Sequence, residues 1–426
     1  MALVGLSVTA TGGAAQGAAP AAATPTPATS VAAGANPAAT APTDVPCPRV
    51  KAPPMPPSPS FSPMPVHDST IPAVGGGQLA TGGLAIPAGA PRIPRTSATS
   101  WVVADLDTGT VLGACGAHLA NAPASVQKLL LAAAVMPKLD PKQTVKITKA
   151  DMDFEPGSSA VGLITGGTYT VETLWLGLLL NSGNDAANVL ARLGSADDTA
   201  AGGVAVMNAE AKRLGAFDTH AVTPSGLDGP GQMTSAYDLA LIARACFARE
   251  DFRRYAASRT AQMPKQPPKD KYGFQIQNDN KLLYNYPGAI GGKTGFTDLA
   301  RHTYVGAATR GGRTLVVTML GGEHEPGRMW QQGAALLTWG FSVAATQGPG
   351  VGRLVEPGEV TSPPTRPAPA PTDPVALAAG DTAASGGVTG EALGLAGAGL
   401  AGLIILAWLV LLIVGHRRRT RSDGSR

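Results

Sequence analysis

Apolar positions along this chain fall into runs with distinct periods, and the runs lie almost wholly between residues 97 and 345. Residues 101–104 and 110–114 are β-prone and joined by a turn at Asp107, Thr108 and Gly109, which predicts a hairpin. Residues 125–135 are apolar enough to predict a helix buried on most sides. A second helix is expected over 171–180, with Thr170 as its cap and Glu172 in its positive first turn, and a third over 185–193. Asp238 three residues after Ser235 is a capping-box pattern that opens a helical stripe over 235–247. Later, 303–309 and 314–320 flank Arg310-Gly311-Gly312-Arg313, a second hairpin whose glycines can take positive φ, and 328–344 predicts a closing helix. Hairpins at both ends with helices between them predict an α+β fold, an antiparallel sheet built from both ends of the domain around a helical subdomain.

Outside that block the pattern changes. Residues 1–96 hold 18 prolines and 346–390 hold 8, leaving 11 for the globular part, so 97–345 is expected to be the folded domain. Residues 17–96 read as a disordered Pro/Ala-rich spacer and 346–391 as a flexible tether. From residue 392 to 415 there are 24 consecutive uncharged residues, and about 20 suffice for a membrane-spanning helix. The basic tail 416–426 follows, and such flanks stay in the cytoplasm, which places the domain outside. Residues 1–16 read as half of an export signal: they are apolar, but no Lys or Arg occurs before Arg49, so coding sequence upstream of Met1 is expected.

The net charge of +4 comes entirely from the last 11 residues, which carry five Arg and one Asp. A folded part that sums to zero argues against nucleic-acid binding, which needs positive charge on the folded surface. Cys47, Cys115 and Cys246 permit at most one disulfide, and spacing does not say which. The six histidines are scattered and no metal-ligand spacing occurs, so neither metal nor cofactor is expected.

Three short motifs carry chemistry. Ser125-Val-Gln-Lys128 opens a helix, Ser182-Gly-Asn184 lies between two helices, and Lys293-Thr294-Gly295 precedes the late hairpin. Each alone is cheap, since Ser-x-x-Lys arises by chance about once per 300 residues. Together and in this order they specify an activated nucleophile. Helical spacing puts Ser125 and Lys128 on one face, where an uncharged amine can take the hydroxyl proton. Burial among Leu129, Leu130 and residues 132–134, with Lys293 as a second cation, would keep that amine neutral.

With these motifs the chain resembles the penicillin-recognising serine enzymes, and within them the serine D-alanyl-D-alanine carboxypeptidases of the penicillin-binding-protein 5 type. The likeness spans roughly 98–325 and includes Asp105-Leu-Asp-Thr-Gly109, Leu178-Leu-Leu-Asn-Ser-Gly-Asn-Asp-Ala-Ala187, Thr223-Pro-Ser-Gly-Leu-Asp228 and Gly291-Gly-Lys-Thr-Gly-Phe-Thr297. The resemblance implies a β-lactamase/transpeptidase-like fold. It implies Ser125 as acylated nucleophile, Lys128 as general base, and Ser182 with Asn184 as proton relay. Lys293, Thr294 and Gly295 would hold the substrate carboxylate on their strand, and the N–H groups of Ser125 and Phe296 would form the oxyanion hole. Implied partners are peptidoglycan stem peptides ending in D-Ala-D-Ala, and β-lactams as covalent inhibitors. Two departures stand out: Gln127 where the family usually has Thr, and Arg301 after Ala300 where it commonly has Gly.

Two alternatives compete. A class A β-lactamase needs a Glu-x-x-x-Asn between the second and third motifs, and Glu210 and Glu250 are the only glutamates in 185–292, neither with Asn four positions on. A catalytically silent wall-binding scaffold would not need every motif side chain.

Overall fold

The computed structural model describes residues 44–50 and 63–365. Strands β1 (Leu84–Ala85), β2 (Ser100–Asp105) and β3 (Thr110–Cys115) open the fold. Helix α1 (Lys128–Val135) is followed by the small ribbon of β4 (Thr144–Lys146) and β5 (Thr168–Thr170), then by α2 (Val171–Asn181), α3 (Asn184–Gly194), α4 (Ala200–Leu214), α5 (Ala236–Phe247) and α6 (Glu250–Ala257). A second ribbon, β6 (Thr260–Met263) with β7 (Phe274–Gln277), and the short α7 (Leu282–Asn285) lead to β8 (Ala289–Thr297), β9 (Arg301–Arg310) and β10 (Arg313–Gly322). Helix α8 (Met329–Ala345) and β11 (Gly352–Arg353) close the described chain.

The main sheet runs β1-β3-β2-β10-β9-β8, with β11 also on β3, and every pairing is antiparallel. Both ends of the domain build it and the helices lie between them, as the hydrophobic pattern predicts. Strand β2 is buried along its whole length because alternate side chains enter two cores. Val102 and Ala104 join the helices α1, α2, α3 and α5, whereas Trp101 and Val103 pack under Leu336, Leu337 and Trp339 of α8. Sheet strands covered on both faces give near-continuous apolar runs in place of alternation.

Local signals hold at the helix starts. Thr170 Oγ1 accepts from Thr173 N at 3.1 Å, and Ser235 Oγ accepts from Asp238 N at 3.1 Å, caps worth about 1 kcal/mol each. The second hairpin turns at Gly311 and Gly312, with φ of +59° and +76°. Between the two helices, Ser182 ends α2 in a left-handed conformation, φ +59°. The Asp185 carboxylate accepts from the N–H groups of Val161, Gly162 and Leu163.

The expected borders are corrected on both sides. Within the spacer expected over 17–96, residues 44–50 and 63–96 take part in the fold: Leu79 and Val74 enter the helical core, Ile93 the α8 core, and Cys47 is disulfide-bonded to Cys115 of β3. Within the tether expected from 346, Val351, Leu354 and Val355 are buried and β11 pairs with β3. Composition misses such segments because a few apolar anchors, each worth about 1.5–3 kcal/mol when buried, can order a Pro-rich stretch without any period. The expected export signal, membrane span and basic tail lie outside the described residues. Among the described residues no helix is long and apolar enough to cross a membrane.

Candidate active site

Ser125 sits on a tight turn. Residues Ala124–Gln127 form a 3₁₀ turn that runs into α1, where one continuous α-helix was expected. In that geometry residues i and i+3 eclipse, which brings the Ser125 and Lys128 side chains together. Ala124, immediately before Ser125, has φ +49°, strain of about 1–2 kcal/mol for a residue with a side chain. The turn is held from two sides. Thr303 Oγ1 of β9 donates to Pro123 O at 2.8 Å, and Gly226, at φ +90°, lies so close to the Ala124 carbonyl that a Cβ there would collide with it.

Lys128 is fully buried. Its Nζ lies 2.9 Å from Ser125 Oγ, 2.8 Å from Asn184 Oδ1 and 2.8 Å from the Ser225 carbonyl. Burial, and then the nearby Lys293 cation, hold its amine well below the usual lysine range, while Asp185 opposes the shift. Asn184 is itself oriented: its Nδ2 donates to Ser158 Oγ at 2.9 Å.

Strand β8 forms the other wall. Lys293 is 2% exposed, donates to the Thr294 carbonyl at 2.8 Å, and burial lowers its pKa to about 8. Thr294 Oγ1 makes no hydrogen bond among the described residues. Gly295 is required by close approach, since a Cβ there would lie 2.8 Å from the Ser125 backbone nitrogen. Phe296, beyond it, is 49% exposed, and Thr297 Oγ1 donates to Asp228 Oδ1 at 2.8 Å, tying β8 to the 223–228 loop.

The structure therefore brings together Ser125, Lys128 and Asn184 by direct hydrogen bonds, and sets Gly295 and Lys293 against them. Ser182 is buried nearby in sequence to Asn184, but its hydroxyl bonds to neither Lys128 nor Ser125. Sequence reasoning missed the Ser225 carbonyl and Ser158; the 223–228 segment was flagged as family-like, whereas nothing marks Ser158. Gln127 is buried and its Nε2 has no partner. A cavity of about 610 Å³ lined by residues including Leu106, Phe247 and Ile290 shares none of these residues, so chemistry and not enclosed volume marks the site.

One group of metal-ligand types exists among the described residues, His118, Asp218 and Asp238. Its atoms are engaged with one another and with the protein: His118 Nδ1 meets Asp218 Oδ2 at 2.7 Å and Nε2 meets Val74 O at 3.1 Å, and Asp238 accepts from Thr219 Oγ1 at 2.7 Å. The cluster anchors the segment before β1 to the domain.

The family model for D-alanyl-D-alanine carboxypeptidases, peptidase family S11, matches residues 88–324. The chain is 47% identical over 262 residues to the D-alanyl-D-alanine carboxypeptidase DacB2 of Mycobacterium tuberculosis, covering 60% of this chain and 87% of that protein. It is 31% identical to the Escherichia coli enzyme DacA, over 61% of this chain and 64% of that one. Among solved structures it is similar to a D-alanyl-D-alanine carboxypeptidase from M. tuberculosis, with TM-score 0.55, 46% identity, and coverage of 60% of this chain and 96% of that one. It is also similar to the Streptomyces K15 DD-transpeptidase, with TM-score 0.56, 29% identity, and coverage of 59% and 100%. The chain belongs to the S11 family of serine-type D-alanyl-D-alanine carboxypeptidases, which process cell-wall peptidoglycan.

Proposed function

We propose that Ser125 is acylated by a stem peptide ending in D-Ala-D-Ala, with Lys128 as the base that activates it. The observation that carries this reading is the fully buried Lys128 amine 2.9 Å from Ser125 Oγ. Asn184 Oδ1 and the Ser225 carbonyl are acceptors only, so they take the two N–H bonds of a neutral amine and leave its lone pair for the Ser125 proton. Attack on the carbonyl of the penultimate residue forms an acyl-enzyme and expels the terminal D-alanine, whose nitrogen receives the proton. Ser182, at the start of the Ser-Gly-Asn motif, is assigned the relay of that proton, and Asn184, bonded to the Lys128 amine, steadies the base. Lys293 and Thr294 hold the substrate's terminal carboxylate, and the N–H groups of Ser125 and Phe296 stabilise the oxyanion, each donor worth about 3–4 kcal/mol. Water then resolves the ester. β-Lactams acylate the same serine.

Residues 392–415 are proposed as the anchoring span, with 416–426 cytoplasmic and the catalytic domain outside, supported by the uncharged run and the arginines after it. Protease protection in intact cells checks the orientation.

The central test is mass spectrometry of the penicillin-treated protein. One stable adduct on the peptide bearing Ser125 is expected, and none in Ser125→Ala. Rapid turnover of the penicillin without an adduct would point to a β-lactamase. An unlabelled wild-type protein would sink the assignment.

A further inference from the structure

The β8–β9 turn carries a side chain where backbone conformation favours glycine. Arg301 has φ +55°, in the left-handed region. Its guanidinium is held in place: Nε and Nη2 donate to the two carboxylate oxygens of Glu323 at 2.6 and 3.2 Å, a forked pair whose side chains are only 18% and 12% exposed. Glu323 is fixed in turn, since its N–H donates to Ser97 Oγ at 2.8 Å and its carbonyl accepts from Gln332 Nε2 at 2.7 Å. The Arg301 guanidinium carbon lies 5.4 Å from the centre of the Phe296 ring. The His302 ring lies 4.6 Å from that same ring and is backed by His324 at 4.1 Å. Phe296, half exposed and adjacent to the glycine whose added Cβ would meet the Ser125 nitrogen, is thus flanked by Arg301, tied to the shielded Glu323 carboxylate, and by His302.

We propose that Arg301, clamped to Glu323, is a positioning residue for acyl transfer: it fixes the Phe296 ring at the end of β8 and with it the Phe296 N–H beside Ser125. The inference rests on the oxyanion role given to that N–H above. A residue kept in an unfavourable backbone conformation and tied to a shielded carboxylate marks a place where local strain is retained for a purpose. Misplacement of a reacting group by about 1 Å costs as much as 10²-fold in rate, so a clamp of this kind acts on the rate and not on binding.

Arg301→Gly is the informative variant, because glycine accepts φ +55° without strain and the turn is kept. With a D-Ala-D-Ala peptide, kcat should fall roughly tenfold while KM stays within about twofold, the signature of an interaction made only in the transition state. Acylation by a fluorescent penicillin should slow to the same extent. Arg301→Lys, which keeps the charge and loses the fork, should fall between wild type and Arg301→Gly. Glu323→Gln should show the same split, and the double variant should be no slower than Arg301→Gly, because the pair acts as one unit. Wild-type kcat in Arg301→Gly, or a change confined to KM, overturns the proposal, the latter by assigning the guanidinium to direct substrate contact. Failure of the underlying reading appears separately, as a wild-type protein that forms no adduct at Ser125.

Discussion

The two edges of the main sheet are treated in opposite ways. At one edge, β3 is closed twice, by β1 and by β11, and Cys47 is bonded to Cys115 at its end. At the other, β8 pairs only with β9 among the described residues and presents Gly292, Lys293, Thr294 and Gly295 beside Ser125. Unpaired strand edges invite association, so a protein seals the edge it does not use. The edge left open is the one whose backbone groups and cation an extended peptide can use. Stability and reactivity are therefore divided between opposite sides of one sheet.

Loss of the base should break the open edge most severely. Lys128→Ala is expected to slow penicillin acylation by roughly 10³–10⁴-fold, within the range for a positioned general base. Stopped-flow labelling measures it, and a wild-type rate would remove Lys128 from its role. The closed edge should respond in stability and not in rate. Cys47→Ser opens a disulfide spanning a sequence separation of 68 residues and should cost about 2–4 kcal/mol in urea unfolding while leaving acylation unchanged. A Cys47→Ser protein that lost acylation and kept its stability would erase the division between the edges.

A smaller effect is expected from pH. Burial lowers Lys293 to about 8, so the clamp loses its charge above that value and kcat/KM for the peptide should fall about tenfold per pH unit. Lys293→Arg stays charged and should flatten this alkaline limb; a limb that persists belongs to another group. The linkage runs in a definite direction. From about pH 8 to the unfolded value of 10.5 the native state binds fewer protons at Lys293 than the unfolded chain does, so this residue's contribution makes unfolding free energy rise with pH. The smallest effect concerns Gln127, whose buried Nε2 has no partner. Gln127→Met, similar in volume, should stabilise the domain by about 1 kcal/mol in urea unfolding, since an unpaired buried amide costs about 1–3 kcal/mol.

Much of the candidate site was legible because short-range geometry dictates it. Ser125 and Lys128 must lie on one face at a spacing of three, and a lysine inside an apolar run must be buried, as Lys128 is. The hairpin at Gly311 and Gly312 and the caps at Thr170 and Ser235 are likewise local. What eluded the sequence is contact between distant segments. Ser225 reaches Lys128 with a backbone carbonyl, which no side-chain pattern records, and the left-handed conformation of Ser182 at the end of α2 has no mark in the sequence. The Arg301 departure was visible, but its partner Glu323 lies 22 residues on and only the β9–β10 bulge region brings them together.

By itself, then, the sequence determined the periods of the strands and helices, the three motifs and their order, because these depend on repeat geometry and on residue chemistry within a few positions. Tertiary structure alone decided which edge of the sheet stays open, that Cys47 and not Cys246 bonds to Cys115, and that residues 63–96 join the fold. Those outcomes depend on surfaces meeting across long stretches of chain, where burial free energy is gained by shape and not by any period in the sequence.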